Sequence, residues 1–459
     1  MRFSLFLFVL VIAPSARAES QSAIVRSVPS DAAPVSSVAP DERPAPTGIL
    51  TFTDALALAM VNHPDLLSFP FELRVAEARI LQAGLRPNPE LEIELEEFGG
   101  SGDRSGFDSA ETTFRIGQAI ELGGKRARRT SLATIEKDLV RWDYESARLD
   151  VVCEVTRGFA AVLAAEERLA LAERMLELSR QARSAAAQRV QAGKDSPVDE
   201  LRASVVFSES RIEQRKAEQA LIAARHALAA TWGDSEPAFD AVAGNLYDVE
   251  PPVPPDDPAV AIANNPDVGR WEIQQEQRRA ALRLEKARAA PDLTLSGGVQ
   301  RFEEADQSAL VFGLSIPIPL FDRNQGGIEE ATVRLAQARR QHEAVRVKTR
   351  AALAEAIAAL GAAYDEAAIL RDDVLPKAQQ AFEAATKGYL EGKFDYLYTL
   401  DAQRGLLEAQ ARYIDSVEAY HKARADVERL IGGALHPADA DRSPASVNEP
   451  LSQEYSYEK

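Results

Sequence analysis

The chain has 459 residues, with 53 Lys and Arg against 71 Asp and Glu, so its formal net charge is −18. A chain this acidic is, as a whole, a poor electrostatic match for nucleic acid or anionic lipid, and we predict no nucleic-acid partner. Its single cysteine excludes an intramolecular disulfide framework and a cysteine-based zinc site. A mean hydropathy of −0.23 argues against a polytopic helical membrane protein.

The N-terminus has the pattern of a secretory signal peptide. Arg2 precedes an apolar run from Phe3 to Ile12, and Ala16-Arg17-Ala18 is a small-residue cleavage motif. The apolar run is too short for a membrane anchor, because a spanning helix needs about 20 residues. We therefore predict a signal peptide over residues 1–18 and a flexible tail, rich in Pro, Ser and Ala, over 19–48.

The body of the chain is internally duplicated. Asn62-His63-Pro64-Asp65 recurs as Asn264-Asn265-Pro266-Asp267 at an offset of 202, and Gly193-Lys194 recurs as Gly392-Lys393 at an offset of 199. Recurrence at a nearly fixed offset indicates copies of one structural unit. The predicted domains are a first repeat, a linker, a second repeat and a flexible C-terminal tail, over residues 49–233, 234–257, 258–433 and 434–459.

Each predicted repeat has the same order of elements: a helix, two short alternating runs, a long helical stretch and a returning helix that ends near a glycine. The first helices are predicted over 53–84 and 258–290, and the long stretches over 125–191 and 325–391. A stretch of this length would be about 100 Å long as a helix.

The second long stretch has the 3-4 spacing of a coiled-coil seam. Because His342 falls on this seam, we expect a packed histidine with a local partner rather than a metal ligand. The seam positions are Ile328, Ala331, Leu335, Ala338, His342 and Val345.

The alternating runs predict β-hairpins over 89–122 and 291–320. Leu91-Glu92-Ile93-Glu94-Leu95-Glu96 alternates strictly, and Leu310 to Ile318 has an apolar residue at every even position. Runs of about 8–10 residues are close to the length of a tilted transmembrane strand. The alternative is a pair of soluble hairpins with one buried face, but little globular sequence remains to cover that face.

In lipid, a sheet must close into a barrel to pair its backbone groups, and four strands are too few to close. Three copies would contribute twelve strands, enough for a water-filled lumen. The predicted fold is therefore mainly α, with long antiparallel coiled-coil helices in a trimeric α-barrel and a small transmembrane β part of four strands per protomer in a 12-stranded trimeric β-barrel. Glu92, Glu94 and Glu96 would then face the lumen, where they would attract cations or only keep it hydrated.

Several segments carry a family resemblance. The sequence resembles the TolC-type outer-membrane factors of Gram-negative efflux systems over about residues 50–433. QAIELGGKR and IPIPLFDRNQGG look most like the branch that serves heavy-metal pumps of the resistance-nodulation-division type, the cobalt-zinc-cadmium and copper-silver systems. The segments are Leu50–Ala59, Gln82–Leu91, Gln118–Arg126, Ile316–Gly327, Leu375–Ala378 and Gly388–Arg404.

The resemblance implies a homotrimeric conduit in the outer membrane of a Gram-negative bacterium, which contacts outer-membrane lipid and extends into the periplasm. Its expected partners are a periplasmic adaptor (a membrane fusion protein) and an inner-membrane resistance-nodulation-division pump. The expected function is passive conduction of heavy-metal cations to the outside. Multidrug efflux and type I secretion are alternatives, and a soluble periplasmic coiled-coil scaffold is an alternative of another class.

The resemblance places the adaptor contact at the turns over 192–198 and 391–397. Each turn has a glycine, which permits a tight turn, and a lysine on an otherwise acidic chain. The alternative is that these Gly-Lys pairs are only helix stops. The predicted contact residues are Gly193, Lys194, Ser196, Val198, Gly392, Lys393 and Phe394.

The resemblance also places a narrow periplasmic entrance near Asp401, which would form a ring of three carboxylates in a trimer. Tyr398 stands where some family members have a second acidic residue. The alternative is that both residues belong to a solvated helix face.

We find no motif for catalysis. Gly123-Gly124-Lys125 lacks the flanking residues of a Walker motif, because Ala119 and Arg126 stand where Gly and Ser or Thr are required. The five histidines have no metal-ligand spacing. We therefore predict no enzyme activity, no catalytic residues, no cofactor and no resident metal site.

Overall fold

The computed structural model describes residues 48–435, except for residues 195, 254 and 256. The predicted signal peptide lies outside the described residues. So do nearly all residues of the two predicted tails, over 19–48 and 434–459.

The described chain is mainly helical. Its helices are α1 (Phe52–Asn62), α2 (Pro64–Gly84), α3 (Lys125–Gln191), α4 (Pro197–Ala230), α5 (Pro258–Ala261), α6 (Pro266–Arg288), α7 (Gln325–Ile369), α8 (Leu375–Leu390) and α9 (Tyr396–Ile431). Its strands are β1 (Gly48–Thr51), β2 (Glu90–Glu96), β3 (Glu111–Ile120), β4 (Phe239–Ala243), β5 (Leu293–Phe302) and β6 (Gln307–Ser315).

Helix α3 organises the helical layer. It has 67 residues without interruption, so it is about 100 Å long. It packs against α2, α4, α6 and α9, and α7 packs against α6 and α9. None of the helices in the described part of the chain is long and apolar enough to cross a membrane.

The predicted seam of α7 faces its neighbours. Ala331 and Ala338 are buried, and the remaining seam residues are partly buried while the residues between them are mostly exposed. His342 has the local partner that we expected, because its Nδ1 lies 2.6 Å from Nε2 of Gln275 on α6.

The long helical stretch predicted over 325–391 is helical almost throughout, but it is divided. Helix α7 ends at Ile369 and a π-helical turn over Leu370–Val374 precedes α8. Pro376 has no N–H to bond the carbonyl of Asp372, four residues earlier, and its ring would clash with that carbonyl in a regular helix. The wider π turn relieves this conflict.

The predicted first helices are also split. The stretch over 53–84 divides into α1 and α2, and the stretch over 258–290 into α5, a 3₁₀ turn and α6. In both, a proline starts the second helix, and the side chain before it accepts a hydrogen bond from the N–H two residues later. His63 Nδ1 accepts from Asp65 at 3.2 Å and Asn265 Oδ1 accepts from Asp267 at 2.7 Å, so each break is a capped helix start.

The two hairpins join in one antiparallel sheet with the order β2-β3-β5-β6. The register places Glu92 opposite Arg115, and Arg115 opposite Gly298 on the other side. Gly298 permits a close approach between β5 and β3, because a Cβ there would lie 2.2 Å from the carbonyl oxygen of Phe114.

A second, two-stranded sheet was not predicted. Strand β1 pairs in parallel with β4, which lies inside the predicted linker over 234–257. That segment is therefore not simply a connection. Leu50 of β1 and Phe239 of β4 are buried in a core that also contains Phe159 of α3 and Trp232 after α4.

Candidate functional site

One face of the four-stranded sheet is apolar and exposed. Because side chains alternate along a strand, the register brings ten large apolar side chains to this face, with exposed fractions from 42% to 80%. An apolar patch of this extent marks a surface that contacts another apolar phase or partner. The ten residues are Leu91, Ile93, Leu95, Phe114, Ile116, Leu295, Val299, Leu310, Phe312 and Leu314.

The opposite face carries the predicted lumen residues. Glu92, Glu94 and Glu96 lie there on β2, and Glu96 has Glu111 of β3 directly opposite. Glu111 in turn accepts a hydrogen bond of 2.7 Å from Nε2 of Gln300 on β5. The alternation predicted from the sequence is thus confirmed, with acidic and apolar residues on different faces.

Arg115 is a residue of this face that the sequence analysis missed. Its guanidinium lies 2.9 Å from the carboxylate of Glu92 and 3.8 Å from that of Glu94. Arg115 therefore partly compensates the charge of Glu92 and Glu94, whereas Glu96 forms no ion pair among the described residues. The position of Arg115 between Phe114 and Ile116 was the available signal, because these two define the apolar face.

The predicted turns over 192–198 and 391–397 lie between α3 and α4 and between α8 and α9. We call them the first and the second hairpin turn. Gly193 and Gly392 have φ of 71° and 72°, a conformation that strains other residues. The next N–H in each turn donates to the carbonyl five residues earlier, from Lys194 at 2.9 Å and from Lys393 at 2.8 Å. Both turns are therefore Schellman caps with the same backbone.

The predicted residues of the first hairpin turn are mostly solvent-exposed. Ser196 caps α4, because its Oγ accepts a hydrogen bond of 3.3 Å from the N–H of Val198. Val198 itself is 50% exposed and Lys194 is exposed. This turn therefore presents an apolar and a basic side chain to solvent.

The second hairpin turn and the first turn of α9 together present an aromatic pair. The rings of Phe394 and Tyr398 lie 5.7 Å apart, and both side chains are about half-exposed or more. Phe394 covers Gly388, where a Cβ would lie only 2.1 Å from the ring. Lys393 forms an exposed ion pair of 2.6 Å with Glu391, which contributes little to stability.

The structure brings the two hairpin turns together at one end of the helical layer. Ala186, Ala203, Tyr389 and Tyr396 form a buried cluster from four helices, and the guanidinium of Arg189 lies 4.6 Å from the ring centre of Tyr389. Burial raises the pKa of the Tyr396 phenol, and the charge of nearby Asp199 raises it further. This shared core could not be predicted from the sequence pattern.

The two predicted entrance residues lie in the first turns of α9. Asp401 is exposed and forms no ion pair within the described residues, and Tyr398 is 65% exposed. They are one helical turn apart, so both can face the same direction.

Potential metal ligands are dispersed in the structure. Among residues 48–435, other than the three without description, no three His, Cys, Asp or Glu side chains are grouped as metal ligands.

Comparison with known proteins is consistent with this geometry. Residues 55–234 and 258–433 match the outer membrane efflux protein family. The cobalt-zinc-cadmium resistance protein CzcC of Cupriavidus metallidurans is 36% identical over 385 residues, which cover 84% of this chain and 90% of CzcC. The nickel and cobalt resistance protein CnrC of the same organism is 29% identical over 68% of this chain and 74% of CnrC.

Solved structures share the fold. CusC, whose crystal structures describe folding and transmembrane channel formation, aligns with a TM-score of 0.72 and 19% identity, covering 84% of this chain and 94% of CusC. VceC from Vibrio cholerae aligns with a TM-score of 0.67 and 19% identity, covering 84% of this chain and 97% of VceC. The chain therefore belongs to the outer membrane efflux protein family, and its place is the outer membrane of a Gram-negative bacterium, from which it extends into the periplasm.

Proposed function

We propose that this chain is the outer-membrane channel of a tripartite resistance-nodulation-division efflux system and that it passively conducts heavy-metal cations to the outside. The observation that carries the proposal is the four-stranded sheet, with an exposed apolar face on one side and Glu92, Glu94 and Glu96 on the other. The resistance named for CzcC and CnrC, to cobalt, zinc, cadmium and nickel, supports the choice of cargo.

The functional unit is a homotrimer. Strands β2 and β6 each have a neighbour on one side only within the described chain, and unpaired strand edges are costly in lipid. Three copies that pair β2 with β6 make a 12-stranded barrel, whose apolar face contacts outer-membrane lipid, and the same symmetry gathers the helices into an α-barrel. We test this by membrane extraction. Trimers released only by detergent are expected, whereas a monomer released by buffer contradicts the proposal and favours a soluble scaffold.

The duplicated organisation is part of the proposal. Residues 49–233 and 258–433 form its two repeats, and residues 1–18 are removed on export. N-terminal sequencing of the protein purified from membranes tests the cleavage, for which we expect a mature chain that begins at residue 19.

The lumen attracts cations. Three copies would bring nine carboxylates from Glu92, Glu94 and Glu96, and three guanidinium groups from Arg115, to the barrel interior. In single-channel recordings, we expect Glu92→Gln/Glu94→Gln/Glu96→Gln to lower the cation preference and Arg115→Gln to raise it. An unchanged preference in both variants contradicts this role.

The adaptor docks at the two hairpin turns. Their exposed residues Lys194, Val198, Lys393 and Phe394 support this, together with Gly193, Ser196 and Gly392, which set the backbone there. A photo-crosslinking amino acid at position 194 or 393 is expected to capture a periplasmic adaptor in cells. The same amino acid at Lys348, an exposed position on α7, is the control.

The entrance is narrow at Asp401 and Tyr398. In the trimer, three copies of each side chain would converge on the axis near the hairpin turns. We expect Asp401→Ala/Tyr398→Ala to increase the single-channel conductance. A conductance equal to that of the unmodified channel contradicts the constriction.

The cargo is tested in cells. Deletion of the gene is expected to lower tolerance of zinc, cadmium or cobalt, and restoration of the gene is expected to recover it. Unchanged metal tolerance with increased sensitivity to organic drugs would instead favour multidrug efflux.

A further inference from the structure

The helical end of the four-stranded sheet collects basic side chains. Helices α2 and α6 end shortly before β2 and β5, and helices α3 and α7 begin shortly after β3 and β6. One end of each strand therefore lies next to a helix, at the helical end of the sheet. Six exposed basic residues lie within eight residues of a strand end there, and five of them form no ion pair with the described residues. We call these five the basic collar: Arg86, Arg126, Arg128, Lys286 and Arg323.

The five collar residues outnumber the two exposed acidic residues without an ion pair at this end, Glu90 and Asp322. None of the five collar side chains forms an ion pair with a carboxylate of the described residues. Three further basic residues at this end are compensated, because Lys125 lies 2.8 Å from Asp292, Arg129 pairs with Glu121, and Arg288 lies 2.6 Å from Glu285. Helix α3 also has no acidic residue in its first turn, although cations are unfavourable at a helix N-terminus. On a chain with a net charge of −18, such a surplus of positive charge indicates an external anionic partner.

Large apolar side chains accompany the collar. Ile318, Leu320 and Phe321 follow β6 with exposed fractions of 75%, 64% and 90%, and Leu85, directly before Arg86, is 49% exposed. Basic side chains with long apolar stems next to exposed aliphatic and aromatic residues are typical of the boundary between the hydrocarbon and the headgroups of a bilayer.

The opposite end of the sheet differs in charge. Its two basic residues are both compensated, because Arg104 forms an ion pair of 2.6 Å with Glu97, and Arg301 pairs with Asp306. Glu96 and Glu111 add further negative charge at this end. An anionic surface is therefore favoured only at the helical end.

We propose that the basic collar binds the phosphate groups of anionic phospholipids, of the phosphatidylglycerol class, on the periplasmic side of the membrane. The proposal depends on the membrane-spanning sheet of the proposed function. In the proposed trimer, β2 of one copy lies beside β6 of the next, so Arg86 and Arg323 come to the same seam from two copies. Arg126, Arg128 and Lys286 extend the positive surface along the protomer.

The test measures which lipids the protein retains. The purified protein is reconstituted into vesicles of phosphatidylethanolamine and phosphatidylglycerol, and extracted. The ratio of the two lipids that remain bound is then determined by mass spectrometry. The variants are Arg126→Gln/Arg128→Gln and Arg86→Gln/Arg323→Gln. The control is Arg339→Gln/Arg340→Gln, which removes two exposed charges of α7 about 21 Å from its start.

We expect the unmodified protein and the control to retain phosphatidylglycerol in excess. Each collar variant should lower that excess ~5-fold or more, because one basic side chain near an anionic surface increases binding by about this factor. An excess that is equal in all proteins, or absent in the unmodified protein, overturns the collar. A protein that does not insert into the vesicles contradicts the membrane-spanning sheet of the proposed function. This outcome is distinct from insertion without a lipid preference, which contradicts the basic collar alone.

Discussion

The two hairpin turns have the same backbone but are stabilised differently. Gly193 and Gly392 adopt the same left-handed conformation, with the same carbonyl acceptors. The first turn is followed by a helix with a serine cap and a proline in its first turn, whereas the second is followed by the buried Tyr396. One glycine therefore suffices to reverse the chain, and the following residues determine how firmly the reversal is held.

The largest difference in stability between the two hairpin turns is expected when the Tyr396 side chain is truncated. Tyr396→Ala should lower the local free energy of opening by ~3–5 kcal/mol, because it empties a buried aromatic site. Pro197→Ala, at the position 199 residues earlier, should cost at most ~1 kcal/mol, because Pro197 is exposed and mainly restricts the unfolded chain. Amide hydrogen exchange in α4 and α9 measures both, and equal losses would contradict the distinction.

The two glycines should respond alike. Gly193→Ala and Gly392→Ala should each cost ~1–2 kcal/mol, because a Cβ meets no atom within 4 Å and only the left-handed backbone is strained. Gly361→Ala in α7 is the matched control. Its added Cβ also meets no atom within 4 Å, and its helical backbone predicts a gain of ~0.5–1 kcal/mol. Thermal unfolding of the three variants tests the expected signs.

The N-terminal caps of α4 and α9 should differ less in their contributions to stability. Ser196→Ala should cost ~1 kcal/mol, because it removes the hydrogen bond to the N–H of Val198. Asp395→Ala should cost less, because the Asp395 side chain makes no capping hydrogen bond and only its charge acts on the helix dipole. Exchange rates of the first amides of α4 and α9 compare the two, and a larger loss at Asp395 would be the contrary result.

The smallest effect is expected from alkaline pH. Burial raises the pKa of Tyr396 above its ordinary value, so the folded chain holds the phenolic proton more tightly than the unfolded chain. This contribution is present below pH ~10 and is lost as the pH rises through the folded pKa. Limited proteolysis should therefore cut the second hairpin turn before the first at high pH, and Tyr396→Phe should remove the difference.

The faces of the sheet could be predicted because they depend on a local signal. Strict alternation in Leu91 to Glu96 separates acidic from apolar side chains, whatever strand lies beside it. The partner of Glu92 could not be predicted, because Arg115 becomes its neighbour only through the register between β2 and β3. The shared core of Tyr389 and Tyr396 depends in the same way on how the two hairpin turns pack.

Structural features that depend on residues far apart in the sequence were harder to predict from local patterns. Strands β1 and β4 are short, pair in parallel and lie far apart in the sequence, so no local pattern connects them. The π turn before α8 did have a local signal in Pro376, but helical periodicity on both sides outweighed it. The breaks at Pro64 and Pro266 were missed for the same reason.

The unequal long helices have a mechanical consequence. Helix α3 runs from the sheet to the first hairpin turn as one continuous α-helix, with no interruption in its backbone hydrogen bonds. The corresponding stretch of the second repeat is interrupted, because the π turn over Leu370–Val374 divides α7 from α8. An axial load applied to both ends of the molecule would therefore be borne by the first half as a stiff rod, while the second half would yield at the π turn.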